Sequence, residues 1–183
     1  MGSPFFECLH FQYGTNANWM GSPYHSLYAK GRTMEQLTIT ADLEDYAVGL
    51  SGKLNLNEFS GIGEAWFNAD DVKTFCKNLK LLSSKMDGAA ELIGSQSKPN
   101  HSEYLETLSL RCNVLSSSKL NGIVGVHVML ADHPYSDCRK EEIRKISGEL
   151  QVRNHKMEEF SNNLLQLLNG NRNQVVLHGG AGI

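Results

Sequence analysis

The chain has 183 residues and a mass of 20.3 kDa, which fits one domain of about 150 residues with short flanks. Lys and Arg number 17 against 20 Asp and Glu, so the formal charge is −3, and this balance argues against a broad basic face that grips nucleic acid. Apolar residues are 40% and charged residues 20%, enough for one core and too little charge for a disordered chain.

Residues 1–33 are rich in Gly, Asn, Ser and aromatics, contain Pro4 and Pro23, and show no sustained period. Two readings stand side by side: an extension upstream of a natural start at Met34, or an arm that docks its aromatics on the domain. Beyond Met34, Leu37, Ile39, Ala41 and Leu43 alternate with other side chains, the mark of a half-buried strand over 36–43. Further strands are expected over 45–56 and 58–67, with Asn57 as the turn between them.

A helix follows Trp66 and Phe67. Asn68 or Asp70 can cap it, and Asp70 and Asp71 sit where the helix dipole favours negative charge. Val72, Phe75, Cys76, Leu79 and Leu82 form one apolar stripe, with Lys73, Lys77 and Lys80 off it. Ser83-Ser84 and Asp87-Gly88 read as its end.

Four more strands are expected over 88–95, 103–114, 122–131 and 143–153. In the second of these, Tyr104, Glu106, Leu108, Leu110 and Cys112 alternate with Leu105, Thr107 and Ser109. In the third, Val124, Val126, Val128 and Leu130 share one face, and Ile123, Gly125, His127 and Met129 the other. Turns are signalled at 98–100, 116–118 and 133–137. A last helix starts near Asn154, with Glu158 and Glu159 in its first turns. Its buried face is Met157, Phe160, Leu164, Leu167 and Leu168, and it stops at Asn169-Gly170.

The order βββαββββα, with short turns and two helices, indicates an α+β domain over 34–170. Its mainly antiparallel sheet has about seven strands, and both helices pack on one face. Residues 171–183 read as a flexible C-terminal tail.

The residues offer little organised chemistry. His127, Asp132, His133, Asp137 and Cys138 are possible metal ligands, but their spacing matches no compact motif, and a polar hairpin connection explains them. Cys8 and His10 lack any sign of a nucleophile elbow. Gly61-Ile62-Gly63 lacks the rest of a phosphate loop; glycines inside a strand mark a bulge or a close backbone approach. The carboxylate pairs Asp70/Asp71, Glu141/Glu142 and Glu158/Glu159 point about 100° apart on a helix, so they do not converge on one atom. No catalytic motif, cofactor or metal site is identified.

Cys8, Cys76, Cys112 and Cys138 form no CxxC pair and read as reduced thiols of a cytoplasmic protein. No run approaches the roughly 20 apolar residues of a membrane-spanning helix, and the N-terminus lacks the pattern of a secretory signal.

Three stretches carry a family likeness: GIGEAWFNADDVKTFCKNLKLL, DGAAELIGS and YLETLSLRCNVL. Trp66-Phe67, Asp70-Asp71-Val72, Phe75, Leu79, Gly88 to Leu92, Leu108, Leu110 and Gly125 to Val128 fill a shared pattern of core and cap positions. Over about 34–168 the chain resembles the WapI-like family of bacterial immunity-type proteins. It departs from that family before the last helix, where Val152-Arg153-Asn154-His155-Lys156 replaces a Thr-Asp-Gln-like step. The resemblance implies a cytoplasmic, non-catalytic protein that neutralises a partner toxin.

The leading expectation is therefore a non-catalytic protein-binding module, possible partners including a protein toxin. The alternative is a small-ligand binder or an enzyme with a site at the sheet mouth. Partner-binding candidates are Tyr46, Tyr104, Glu106, Arg111 and Tyr135, with Glu58 and Glu64 also expected to be exposed.

Overall fold

In a computed structural model the described residues are 34–97, 104–115, 122–133 and 139–180. Three strands open the domain: β1 (Gln36–Leu43), β2 (Ala47–Leu56) and β3 (Phe59–Asn68). Helix α1 (Ala69–Lys85) leads to β4 (Ala89–Ser97), β5 (Tyr104–Val114), β6 (Ile123–Ala131) and β7 (Lys145–Arg153). Helix α2 (Asn154–Leu168) and a short β8 (Val175–His178) close it. The expected readings of residues 1–33 lie outside the described residues.

The α+β class, the antiparallel pairing and the two helices stand as read from the sequence. The strands differ in number and grouping. Among the described residues eight strands form two four-stranded sheets, the first in the order β3-β2-β1-β8 and the second β4-β5-β6-β7. Residues 171–183 are not merely a tail. Val175–His178 pairs antiparallel with β1, Leu37 opposite Leu177 and Ile39 opposite Val175, and buries Val175 and Leu177. A four-residue strand carries too short an alternation to stand out beside a glycine-rich end.

The two sheets are separate because β3 lies across the second sheet and is not hydrogen-bonded to its edge. It contacts β4, β5, β6 and β7 in turn. The contact depends on glycine. A Cβ on Gly63 would sit 2.6 Å from the Thr107 carbonyl oxygen and 2.8 Å from the Ala131 nitrogen. A Cβ on Gly52 would meet Leu130, and on Gly61, Ile146. From the opposite sheet, Gly94 faces Ala65 and Phe67, and Gly148 faces Leu56. Gly63 thus marks a close backbone approach, one of the two readings the sequence offered for Gly61-Ile62-Gly63.

The helices pack against both sheets, which corrects the expectation of two helices on one face of one sheet. α1 touches β3, β4 and β5, α2 touches β1, β6, β7 and β8, and the helices touch each other. Val72, Phe75, Cys76, Leu79 and Leu82 are buried on α1, and Met157, Phe160, Leu164 and Leu167 on α2. Two buried hydroxyls tie the pair: Ser161 Oγ donates to the Cys76 carbonyl (2.8 Å) and Ser83 Oγ to the Asn154 carbonyl (2.7 Å).

The helix ends refine the sequence reading. Asn68 occupies the N-cap of α1 without a side-chain cap bond; its amide instead donates to Asp71 Oδ2 (3.3 Å). Ser83 and Ser84 lie inside α1, which ends at Met86 in the left-handed conformation (φ 48°). α2 has no acidic residue in its first turn, so the dipole does not account for Glu158 and Glu159. Gly170 takes a positive φ of 68° past the end of α2, as a glycine stop requires.

Phe75 is among the largest fully buried side chains. Phe75→Ala is expected to cost about 3–5 kcal/mol, because the cavity adds to the lost apolar burial. Urea unfolding checks it; an unchanged midpoint would contradict the packing of α1.

Candidate functional site

The inner faces of both sheets are filled by each other and by the helices, so side chains free to act lie on the outer faces and edges. On the second sheet, strict antiparallel register aligns one side chain from each strand. Glu91 on β4 stands opposite Arg111 on β5, Arg111 opposite His127 on β6, and His127 opposite Glu149 on β7. Directly opposed residues have Cβ atoms about 4.5–5.5 Å apart, so these four form a continuous polar row. The adjacent row is Ile93, Ser109, Met129 and Ser147.

Arg111 is the hub. Its Nη2 donates to Glu106 Oε2 (3.0 Å) and its Nη1 to Ser109 Oγ (2.9 Å). Nη1 also lies 2.8 Å from Glu106 Oε1, an ion-pair contact without an aligned hydrogen bond. The side chains of Arg111 and Glu106 are 35% and 30% exposed, so the pair is open on one side. On the neighbouring strand, His127 Nε2 lies 3.2 Å from Ser147 Oγ.

A β-bulge makes this grouping possible. Gly94 pairs with Leu108 but Ser95 pairs with Glu106, which leaves Thr107 without a partner on β4. Thr107 turns inward and donates to the Glu64 carbonyl on β3 (2.7 Å). The extra residue rephases β5, so Glu106 joins Ser109 and Arg111 instead of following Leu108 into the core. Simple alternation placed Glu106 and Leu108 on one face; the bulge overturns that.

The expected partner-binding residues therefore separate. Glu106 and Arg111 come together. Tyr104 opens β5 opposite Ser97, its side chain outside the description, and Tyr135 lies outside the described residues. Tyr46 belongs to the other sheet, in the β1–β2 turn, and is 88% exposed. Glu58, in the turn between β2 and β3, and Glu64, on β3, are exposed as expected. Glu91, His127 and Glu149 were missed as members of the row, since alternation assigns faces but not cross-strand register.

Other groups do not converge. Among the described residues no three His, Cys, Asp or Glu side chains are placed to hold a metal ion; Asp137 and Cys138 lie outside that set, as do Cys8 and His10. Cys76 and Cys112 are free and buried, and burial pushes their thiols up to about 11 and about 12, so neither is a ready nucleophile. Among the described residues no helix is long and apolar enough to cross a membrane.

No protein-family model, curated protein or solved structure matches this chain.

The Arg111 hydrogen bond holds the Glu106 carboxyl below its ordinary value of 4.5, with Ser109, the Arg111 charge and His127 acting in the same direction. Glu106→Gln is expected to reduce stability near neutral pH by about 0.2–1 kcal/mol, the range of partly exposed ion pairs. A lowered carboxyl pKa stabilises above the unfolded value, and the gain is lost as pH falls through the folded value. Urea melts should therefore show the gap between the two proteins narrowing from about pH 7 to about pH 3. A gap that widens in acid would contradict the pairing.

Proposed function

We propose that this chain is a non-catalytic protein-binding module that presents the outer face of its second sheet to a partner protein. The observation that supports this reading most is Arg111. It is a partly exposed guanidinium, fixed by Glu106 and Ser109, at the centre of a four-strand polar row. An arginine held in one geometry costs little further ordering when a partner docks, and arginine is enriched among residues that dominate binding energy. Ile93, 49% exposed beside this row, adds apolar area.

The charges specify the partner. Glu91 and Glu106 flank Arg111, Glu149 stands beyond His127, and Lys145 and Arg153 are exposed on the same face of β7, so this face is of mixed charge with Arg111 set among carboxylates. The fitting surface has one carboxylate positioned for the guanidinium and basic groups over Glu91 and Glu106. Charge matching of this kind sets encounter rate and specificity more than raw affinity. Toxin neutralisation is a finer version of this reading and rests on the WapI-like resemblance alone.

Affinity capture from the native host, followed by titration of the retained protein, tests the proposal. Arg111→Ala is expected to weaken binding by about tenfold or more, and Tyr46→Ala on the other sheet to leave it within about twofold. Loss on Tyr46→Ala with none on Arg111→Ala would move the interface to the first sheet. A wild-type chain that retains no protein would overturn the reading.

A further inference from the structure

The edges of the two sheets come together at β7 and β8. After β8 the chain crosses between them: the Gly179 amide donates to the Glu35 carbonyl (2.8 Å) and the Gly180 amide to the Gln151 carbonyl on β7 (3.1 Å). Beside this stitch, β7, α2 and β8 enclose a cleft of about 240 Å³. Phe160, Val152 and Leu177, all buried, form its floor.

The wall of this cleft is basic and drawn from three elements. Arg153 comes from the end of β7, His155 and Lys156 from α2, and His178 from β8. Among the described residues that line the cleft, Glu159 is the one carboxylate. Lys156 holds it at 2.8 Å, and Lys156, His155 and Arg172 all act to keep its carboxyl below the ordinary range. The local field already favours negative charge at this point. Two amides of the first turn of α2 are already engaged, that of Asn154 with the Gly122 carbonyl and that of His155 with Asn154 Oδ1.

We propose that this cleft binds a small oxyanion, the phosphate or carboxylate group of a low-molecular-weight ligand. A guanidinium fork, an ammonium and two imidazoles are the donor set for such a group. Pockets for drug-sized ligands measure roughly 300–1,000 Å³, so a cleft of about 240 Å³ fits a single anionic group with a short body. Asn163, also in the lining, supplies a neutral amide for the remainder of the ligand. The cleft lies at the β7 edge and is not lined by Arg111, and neither proposal depends on the other.

Amide chemical-shift titration of the full chain tests it, with inorganic phosphate and malonate as probes and sodium chloride added to hold ionic strength constant. Saturable shifts are expected at Arg153, His155, Lys156, Gly179 and Gly180, at concentrations on the order of 1 mM. Saturation by phosphate alone assigns a phosphate-bearing ligand, and by malonate alone a carboxylate. Arg153→Gln should weaken binding about tenfold through loss of a charge-assisted fork. Glu159→Gln should change it in the opposite direction, tightening binding about threefold or more by removing the competing carboxylate. Shifts that fail to saturate, that spread over the lysines of α1, or that Glu159→Gln leaves unchanged or weakened would overturn the site.

Discussion

Two sheets packed face to face ordinarily keep about 10 Å between them, a gap filled by side chains from both. Here β3 comes closer to the second sheet, and only because Gly63 has no side chain: its Cβ position is 2.6 Å from a backbone oxygen of β5. Gly52 and Gly61 extend that glycine-lined region on the first sheet, and Gly148 answers from the second. Gly61, Gly63 and Gly148 lie in the first halves of β3 and β7, with Gly52 on β2 opposite Gly63, whereas α1 and α2 attach at the ends of β3 and β7. The domain is therefore thin where glycines meet and thick where Phe75 and Phe160 fill the space between the sheets. The rest of the fold follows from that wedge.

The wedge also determines where chemistry can lie. Inner faces are used up by packing, so polar function is displaced to the outer faces and to the seam between β7 and β8. The bulge at Thr107 links the two regimes. The same residue that reaches β3 from β5 turns Glu106 outward to meet Arg111. A packing requirement on one side of the second sheet thereby fixes a salt bridge on the other. The seam is a second consequence: β8 edges one sheet and β7 the other, and the crossing at Gly180 leaves the cationic cleft beside it.

Much of this was legible in the sequence. The apolar stripe from Val72 to Leu82 and the alternation from Val124 to Leu130 identified α1, β6 and their buried faces, because each rests on local periodicity. The glycines of β3 signalled a bulge or a close approach, and Gly63 makes the close approach. What periodicity does not encode is which strand pairs with which, so the division into two sheets and the alignment of Glu91, Arg111, His127 and Glu149 were hidden. β8 was hidden because it is short and is stabilised by β1, far away in sequence. The cleft was hidden for a similar reason: Arg153, Lys156 and His178 belong to separate elements.

The dependence on glycine is tested most directly by urea unfolding of Gly63→Ala beside Gly49→Ala. Both sit in the first sheet, but a Cβ on Gly49 points outward and meets only the Trp66 ring, 3.1 Å away on an exposed, movable side chain. At Gly63 the obstacles are backbone atoms of β5 and β6, which cannot yield without moving the second sheet. Gly63→Ala should destabilise by about 1–3 kcal/mol or more, while Gly49→Ala should stay within about 1 kcal/mol of wild type. Equal effects at the two positions, or a neutral Gly63→Ala, would contradict the close approach on which this fold is built.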